Sequence, residues 1–164
     1  MNAVVETPSG NLIQRYLLTP VLNQLRQGIT PEKIALTLAL GAVCSVFPIL
    51  GMTTVLCGIL GVWLRLNQAL IQSLNYLLTP LHVALLLPFY RAGETLFGQP
   101  HVPIFSITDL IERFREGPLQ FFADYGMVGL YGVTVWALTA PIVSLLLYLS
   151  LRPLILRLAR VSAD

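Results

Sequence analysis

Polar residues recur at helical spacing inside a long apolar stretch of this chain. In chain order they are Arg65, Asn67, Gln68, Gln72, Asn75, Thr79 and His82. Apart from Asn67, each follows the previous one by three or four residues, so on one continuous helix they would share a face. A helix break at Asn67 or at Thr79-Pro80 would end that face. The spacing predicts a polar track, or a site for a lipid head group or a small polar solute.

The same polar face has a second explanation in helix packing. Continued towards the N-terminus, the spacing takes in Gly51, Thr54, Gly58 and Gly61. Membrane helices pack through small residues, and amide side chains hydrogen-bond between helices for about 0.6–2 kcal/mol each. Arg65 also has two explanations, as a functional residue within the membrane or as an anchor at its surface. An arginine at mid-bilayer costs at least ~2.5–3.5 kcal/mol, but at the end of a short apolar run it can extend to the interface and anchor the topology.

Residues for catalysis or metal binding are missing from the apolar stretch. No Asp or Glu occurs between Ile34 and Tyr90, so the carboxylate of a usual proton relay is absent. The chain also lacks a Gly-rich phosphate loop and a Ser-His-Asp set, and its two histidines, His82 and His101, are far apart in sequence. The sequence therefore predicts a protein that is not an enzyme, with no cofactor and no metal site.

The composition is typical of an integral membrane protein. Hydrophobic residues make up 55% of the 164 residues and charged residues 11%, against about 25% charged in a typical soluble domain. From Ile34 to Tyr90 the only formal charge is Arg65, which predicts membrane-embedded helices. The net charge of +2 is too small to indicate nucleic acid binding, and the N-terminal residues predict no cleaved signal peptide. Cys44 and Cys57 lie in apolar runs and are interpreted as packing residues.

Proline and glycine divide the apolar sequence into helices. The sequence TPEK favours a helix start, because Thr30 can cap a helix and proline suits its first position. The sequence FPILG favours a helix end, since proline interrupts the hydrogen-bond ladder and glycine permits a turn. The residues of the two predicted breaks are Phe47, Pro48, Gly51 and Pro80. The predicted apolar segments are 31–47, 52–66, 70–90 and 126–151.

The pentapeptide YLLTP occurs twice, at 16–20 and at 76–80. The residue before a proline avoids the helical conformation, so each copy predicts a helix that stops and a new helix that starts. The alternative is chance repetition in a leucine-rich chain, with one tolerated proline kink.

The fold class predicted is an all-α integral membrane protein, with about four short or broken transmembrane helices plus amphipathic surface helices. The chain divides into five parts. They are an amphipathic surface segment at 1–29, a membrane core at 30–97 broken at Pro48 and Pro80, an extramembrane loop at 98–125 with an amphipathic helix at 106–117, a transmembrane helix at 126–151, and a basic tail at 152–164. Arg152-Pro153 is expected to stop the last helix.

The placement of Lys and Arg predicts the topology. With four spans and both termini cytoplasmic, seven basic residues lie inside, and only Arg91, Arg113 and Arg115 lie outside. A rival topology has two re-entrant hairpins that dip at FPILG and LLTP. Arg65 and Arg91 would then both be cytoplasmic, and the last span would place three arginines outside unless it too re-entered. The charge distribution favours four spans in a bacterial inner membrane.

Several motifs resemble those of one bacterial membrane family. They are TPEK at 30–33, FPILGMTT at 47–54, RLN at 65–67, Asn75 with a following proline, and FYRAGETLFG at 89–98. Over roughly residues 20–150 the chain is similar to the family catalogued as domain of unknown function 2062. Many members have an Asn-Pro pair where this chain reads NYLLTP, and a Gln-Thr pair where it has Thr53-Thr54. The family has no established activity. Some members look fused to glycosyltransferase domains, which implies work on envelope polysaccharides or lipid carriers.

Two hypotheses for function follow. In the first, the protein is non-enzymatic and binds or moves a lipid or a lipid-linked polar head group in cell-envelope biogenesis, through the polar face. In the second, it is a membrane scaffold that positions an envelope enzyme of the glycosyltransferase type, and the polar face only joins helices. The partners expected are membrane lipids, with a protein partner or a second copy of the chain, and no nucleic acid.

Overall fold

The computed structural model describes residues 19–26, 29–101, 112 and 115–161. Within these residues the chain forms six helices and no strand, which confirms the all-α prediction. The helices are α1 (Thr19–Arg26), α2 (Pro31–Ser45), α3 (Met52–Trp63), α4 (Gln68–Leu77), α5 (Thr79–Leu96) and α6 (Pro118–Val161). Most of the predicted surface segment, and most of the amphipathic helix predicted at 106–117, lie outside the described residues.

The first two apolar helices form where the sequence predicts, but each ends slightly earlier. Thr30 is the N-cap of α2 in an extended conformation, with φ −63° and ψ 140°, and a proline follows it. Gly51 precedes α3 with φ 81°, a left-handed conformation that glycine adopts without strain. At 1.5 Å per residue, α2 is about 22 Å long and α3 about 18 Å. Both are shorter than a hydrocarbon core of about 30 Å.

Helix α4 packs against both α2 and α3. The helices approach closely at Gly41, where an added β-carbon would lie 3.0 Å from Ile71 Cγ1. Leu70 of α4 belongs to a buried cluster with side chains of α1, α2 and α6. Ile71 belongs to a second buried cluster, which contains the free thiols of Cys44 and Cys57. The burial of both cysteines agrees with their interpretation as packing residues.

The second YLLTP is a helix stop followed by a restart. Helix α4 ends at Leu77, and α5 begins at Thr79 with Pro80 in its first turn. The two helices are bent by 66° at this break, which confirms the predicted interruption. Pro88 is accommodated inside α5. Of the first YLLTP, only Thr19 and Pro20 lie among the described residues.

Helix α6 has 44 residues and contains the most extended apolar segment. Residues Tyr125–Arg160 are long and apolar enough to cross a membrane, and no other single helix in the described ranges meets that test. The bent α4–α5 pair meets it when counted as one span. The predicted stop at Arg152-Pro153 is wrong, since Pro153 lies inside α6. Just beyond it, Ile155 is buried in the cluster formed with α1 and α2, and this packing stabilises the turn that the proline weakens.

Two helices expose apolar faces. On α3 the exposed large side chains include Val55, Ile59, Val62 and Trp63, which are 50–75% exposed. On α6 a similar surface extends from Leu138 to Leu154. Contiguous apolar surfaces of this kind are typical of proteins whose surface contacts lipid or another protein.

Candidate functional site

The C-terminal end of α3 is a Schellman motif with arginine at the position usually occupied by glycine. The N–H of Leu66 donates to the carbonyl of Gly61 at 2.8 Å, and the N–H of Arg65 donates to the carbonyl of Val62 at 3.2 Å, the two bonds that define this motif. Arg65 is left-handed, with φ 51°, and is the one non-glycine residue with positive φ in the described ranges. A left-handed L-residue costs about 1–2 kcal/mol, so the arginine is kept at the expense of local stability.

Arg65 lines a cavity between the start of α2 and the loop that joins α3 to α4. Its volume is about 370 Å³, which is within the usual range of small-molecule sites, about 300–1,000 Å³. The lining residues are Ile29, Thr30, Lys33, Ile34, Thr37, Arg65, Leu66 and Asn67. The cavity forms because α3 returns the chain to the level at which α2 begins.

Lys33 and Arg65 give this cavity two positively charged residues. Neither forms a salt bridge with an acidic residue in the part of the chain that the structure describes. Glu32, next to Lys33 in sequence, does not line the cavity; its Oε1 lies 3.7 Å from Nη2 of Arg152 on α6. Helices α2 and α4 both begin beside the cavity, and helix N-termini add partial positive charge. This arrangement suits an anion.

The polar groups at the cavity differ in whether they already form hydrogen bonds within the protein. Thr30 is the N-cap of α2, but its hydroxyl makes no capping hydrogen bond. Asn67 is the N-cap of α4, and its side-chain oxygen accepts from the N–H of Leu70 at 2.8 Å. The hydroxyl of Thr37 donates to the carbonyl of Lys33 at 2.7 Å. Two of the acceptor oxygens near the cavity are therefore already hydrogen-bonded within the protein.

The amide side chains of α4 hydrogen-bond α3 and do not line the cavity. The Nε2 of Gln68 donates to the carbonyl of Gly58 at 3.0 Å, and the Nε2 of Gln72 donates to the carbonyl of Thr54 at 3.2 Å. The Nδ2 of Asn75 donates to the hydroxyl of Thr54 at 3.1 Å. The pairing of later α4 residues with earlier α3 residues means that the helices run antiparallel. Such hydrogen bonds between helices are what is expected if these polar residues serve helix packing.

The polar residues do not share one continuous face. Helices α3 and α4 are joined by a loop, and the α4–α5 pair is bent, so the helical spacing holds only within each helix. The hydroxyl of Thr79 donates to the carbonyl of Asn75 at 3.2 Å, across the bend. His82 is 4% exposed, and its Nε2 has no hydrogen-bond partner among the described residues. Of the predicted set, only Arg65 and Asn67 line the cavity.

The FPILG turn is held by side chains from α5 and α6. The hydroxyl of Tyr90 donates to the carbonyl of Pro48 at 2.9 Å. The indole N–H of Trp136 donates to the carbonyl of Val43 at 3.0 Å, and its ring packs edge-on against Phe47 with centroids 4.9 Å apart. The predicted break is therefore a turn between α2 and α3 that is held by Tyr90 and Trp136, two residues distant from it in sequence.

A family model matches residues 14–163, which is most of the chain. Its description is an uncharacterised protein conserved in bacteria, DUF2062. The chain belongs to the DUF2062 family. The resemblance predicted from the motifs is thus confirmed, over a longer range than those motifs covered. No curated protein and no solved structure matches the chain.

Two of the motifs that resemble those of the DUF2062 family supply contacts that helical spacing does not predict. TPEK supplies Lys33 and Thr30 to the cavity. Both had been interpreted only through topology and capping. FYRAGE supplies Tyr90, which contacts the FPILG turn. The same motif supplies Gly93, where an added β-carbon would lie 2.5 Å from the carbonyl carbon of Tyr131. Helices α5 and α6 therefore cross with their backbones in contact, as small residues allow in membrane proteins.

FYRAGE also supplies a buried carboxylate. Glu94 is 0% exposed, and its Oε2 lies 2.7 Å from Nη1 of Arg91 and 2.9 Å from Nδ1 of His101. A buried carboxylate is stable only when it is paired and hydrogen-bonded. The sequence places Arg91 on the outer side of the membrane and His101 in the following loop, and helical spacing does not predict this cluster.

Proposed function

We propose that this DUF2062 protein is a multi-pass protein of the bacterial inner membrane that binds the polar head group of a lipid or lipid-linked carrier in envelope biogenesis, without catalysing a reaction. The observation that carries the proposal is the cavity in which Lys33 and Arg65 lie with no acidic partner among the described residues. Arg65 and Asn67 keep the ligand-binding role predicted for them, and Lys33 and Thr30 join them. The amide side chains of α4 serve to hold α3 in place.

The position of the cavity relative to the apolar surface supports a lipid ligand. The exposed apolar face of α3 ends at Trp63, which is 75% exposed, and Arg65 follows two residues later. Tryptophan is enriched at membrane interfaces, and arginine places its charged end in the head-group layer. With the apolar face of α3 among the acyl chains, the cavity would therefore lie at the depth of the lipid head groups.

The charges at one end of the helices support a cytoplasmic position for this cavity. Lys33, Arg65 and Arg152 lie at the same end, since two of them line the cavity and the third pairs with the residue before Lys33. Clusters of Lys and Arg are typical of the cytoplasmic side. In this proposal α6 and the bent α4–α5 pair cross the membrane, while α2 descends from the cytoplasmic side and α3 returns to it as the first two short spans.

Native mass spectrometry of lipids that copurify with the full chain tests this proposal. The proteins to compare are the wild type, the double variant Lys33→Ala/Arg65→Ala, and Arg157→Ala. Arg157 is an exposed arginine that does not line the cavity, so it controls for the loss of a surface charge. The wild type and the control should retain a phospholipid-sized adduct. The double variant should lose it by at least about tenfold, because each lost charged hydrogen bond is worth about 1.5–3 kcal/mol.

The same comparison decides against the proposal if the adducts are equal in all three proteins and all three remain folded. The cavity would then have no role in lipid retention. The alternative, a scaffold for a glycosyltransferase-type enzyme, would become the better hypothesis. Its test would be a copurifying membrane enzyme whose association survives the double substitution.

A further inference from the structure

We infer that the cavity at the start of α2 takes a phosphate with two negative charges, the terminal phosphate of a phosphomonoester or a diphosphate. A phosphodiester, the singly charged group of most phospholipids, would be the weaker ligand. This inference rests on the proposed function and names the chemical class of ligand for the same site. The chemistry is shared by lipids that end in phosphate and by soluble phosphate esters, and the experiment below separates the two.

The first argument is the balance of charge. Lys33 and Arg65 bring two formal positive charges, and none of the lining residues is acidic. Glu32, the carboxylate next in sequence, is paired with Arg152. A singly charged ligand would leave one of the two cations without a counter-charge. A doubly charged ligand would balance both, and charged hydrogen bonds are about twice as strong as neutral ones.

The second argument is the balance of donors and acceptors. Lysine has three N–H donors, arginine has five, and a threonine hydroxyl can add one more. The side-chain oxygen of Asn67 and the carbonyl of Lys33 are already occupied by hydrogen bonds within the protein. A terminal phosphate presents three unbridged oxygens, while a diester presents two. The excess of donors over acceptors therefore favours the terminal phosphate.

Lipid titration of the detergent-solubilised full chain, followed by native mass spectrometry, tests the inference. The two probes are phosphatidic acid, a monoester, and phosphatidylglycerol, a diester, with identical acyl chains. Each is titrated at about pH 5 and about pH 8, on either side of the second phosphate pKa of about 6. The charge of phosphatidylglycerol does not change over this range, so it controls for titration of the protein.

Phosphatidic acid should bind about tenfold more tightly at the higher pH, and there about tenfold more tightly than phosphatidylglycerol, because one further charge interacts with two cations. Lys33→Ala should remove this preference while both lipids still bind weakly. Soluble glycerol 3-phosphate, titrated in parallel, should bind more weakly than phosphatidic acid, since it lacks contact with the apolar face of α3.

The other outcomes separate the two proposals. Equal affinity for both lipids at both pH values, with binding lost in Lys33→Ala/Arg65→Ala, would overturn the inference of a doubly charged phosphate and leave head-group binding intact. Failure of both lipids to bind the wild type would overturn both proposals. Glycerol 3-phosphate that binds as tightly as phosphatidic acid would support the doubly charged phosphate and overturn the lipid as its source.

Discussion

Replacing Arg65 by glycine should stabilise the protein and weaken lipid binding. Arg65 is left-handed, with φ 51°, at the position of the Schellman motif that glycine usually fills. Relief of this strain raises the free energy of unfolding by about 1–2 kcal/mol. The greater conformational freedom of glycine in the unfolded chain lowers it by about 0.5–1 kcal/mol. At their midpoints these two contributions give a net gain in the free energy of unfolding of about 0.75 kcal/mol. For a chain of this size it corresponds to a rise in Tm of about 1.5–3 °C.

Two measurements on the same preparations check this prediction. Thermal unfolding in detergent, followed by tryptophan fluorescence, gives the stability, and titration with phosphatidic acid gives the affinity. Arg65→Ala keeps the β-carbon and loses the charge, so it should bind weakly without becoming more stable. Arg65→Lys keeps both features and should stay close to the wild type in both measurements.

The reasoning about Arg65 fails if Arg65→Gly is less stable than the wild type by about 1 kcal/mol or more. That loss would exceed the entropic cost of the glycine. The guanidinium group would then stabilise the fold itself, as a topological anchor or a packing group, and its role as a ligand contact would be unsupported. An unchanged affinity for phosphatidic acid would refute the same role independently.

Three further predictions concern the packing of α5 and α6 and the topology of the chain. Gly93→Ala should lower the free energy of unfolding by about 1–3 kcal/mol, because its β-carbon would meet the backbone of α6 at 2.5 Å. Gly129→Ala, whose β-carbon meets nothing within 4 Å, should raise it by about 0.5–1 kcal/mol in the same thermal unfolding assay, because alanine is favoured over glycine inside a helix. Trp136→Phe should cost about 1–2 kcal/mol by urea or thermal unfolding, since a carbonyl of α2 loses its donor; an unchanged stability would show that the indole bond is dispensable. A cysteine at Glu112, in a chain without other cysteines, should react with an impermeant thiol reagent only from the periplasmic side. Labelling from the cytoplasmic side alone would exclude four spans.

The helix breaks could be predicted because proline and glycine act locally. Pro48 and Pro80 interrupt helices in the structure close to where the sequence indicates. The end of α3 was predicted too late, because its stop depends on a left-handed arginine and residue type gives no signal for one. The stop at Pro153 was predicted wrongly, since packing of Ile155 against α1 and α2 continues the helix past it.

The cavity could not be predicted because it depends on contacts that are distant in sequence. Lys33 and Arg65 meet only after α3 reverses the chain at FPILG, and helical spacing says nothing about such a reversal. The second reversal, at residues 64–67, places the amides of Gln68 and Gln72 on the backbone of α3. Periodicity correctly identified a set of polar residues of interest, but tertiary structure divided that set between a helix interface and a cavity.

The length of α6 exceeds what a membrane crossing would need. Its 44 residues extend for about 66 Å, whereas a hydrocarbon core of about 30 Å, even crossed at a tilt of about 40°, takes up only about 39 Å. About 27 Å of continuous helix must then stand clear of the acyl chains. The C-terminal part of α6 is not free, because Ile155 lies in the buried cluster with side chains of α1 and α2. A helix that crosses the membrane would thereby also brace the start of α2 beside the cavity, through the contact of Arg152 with Glu32.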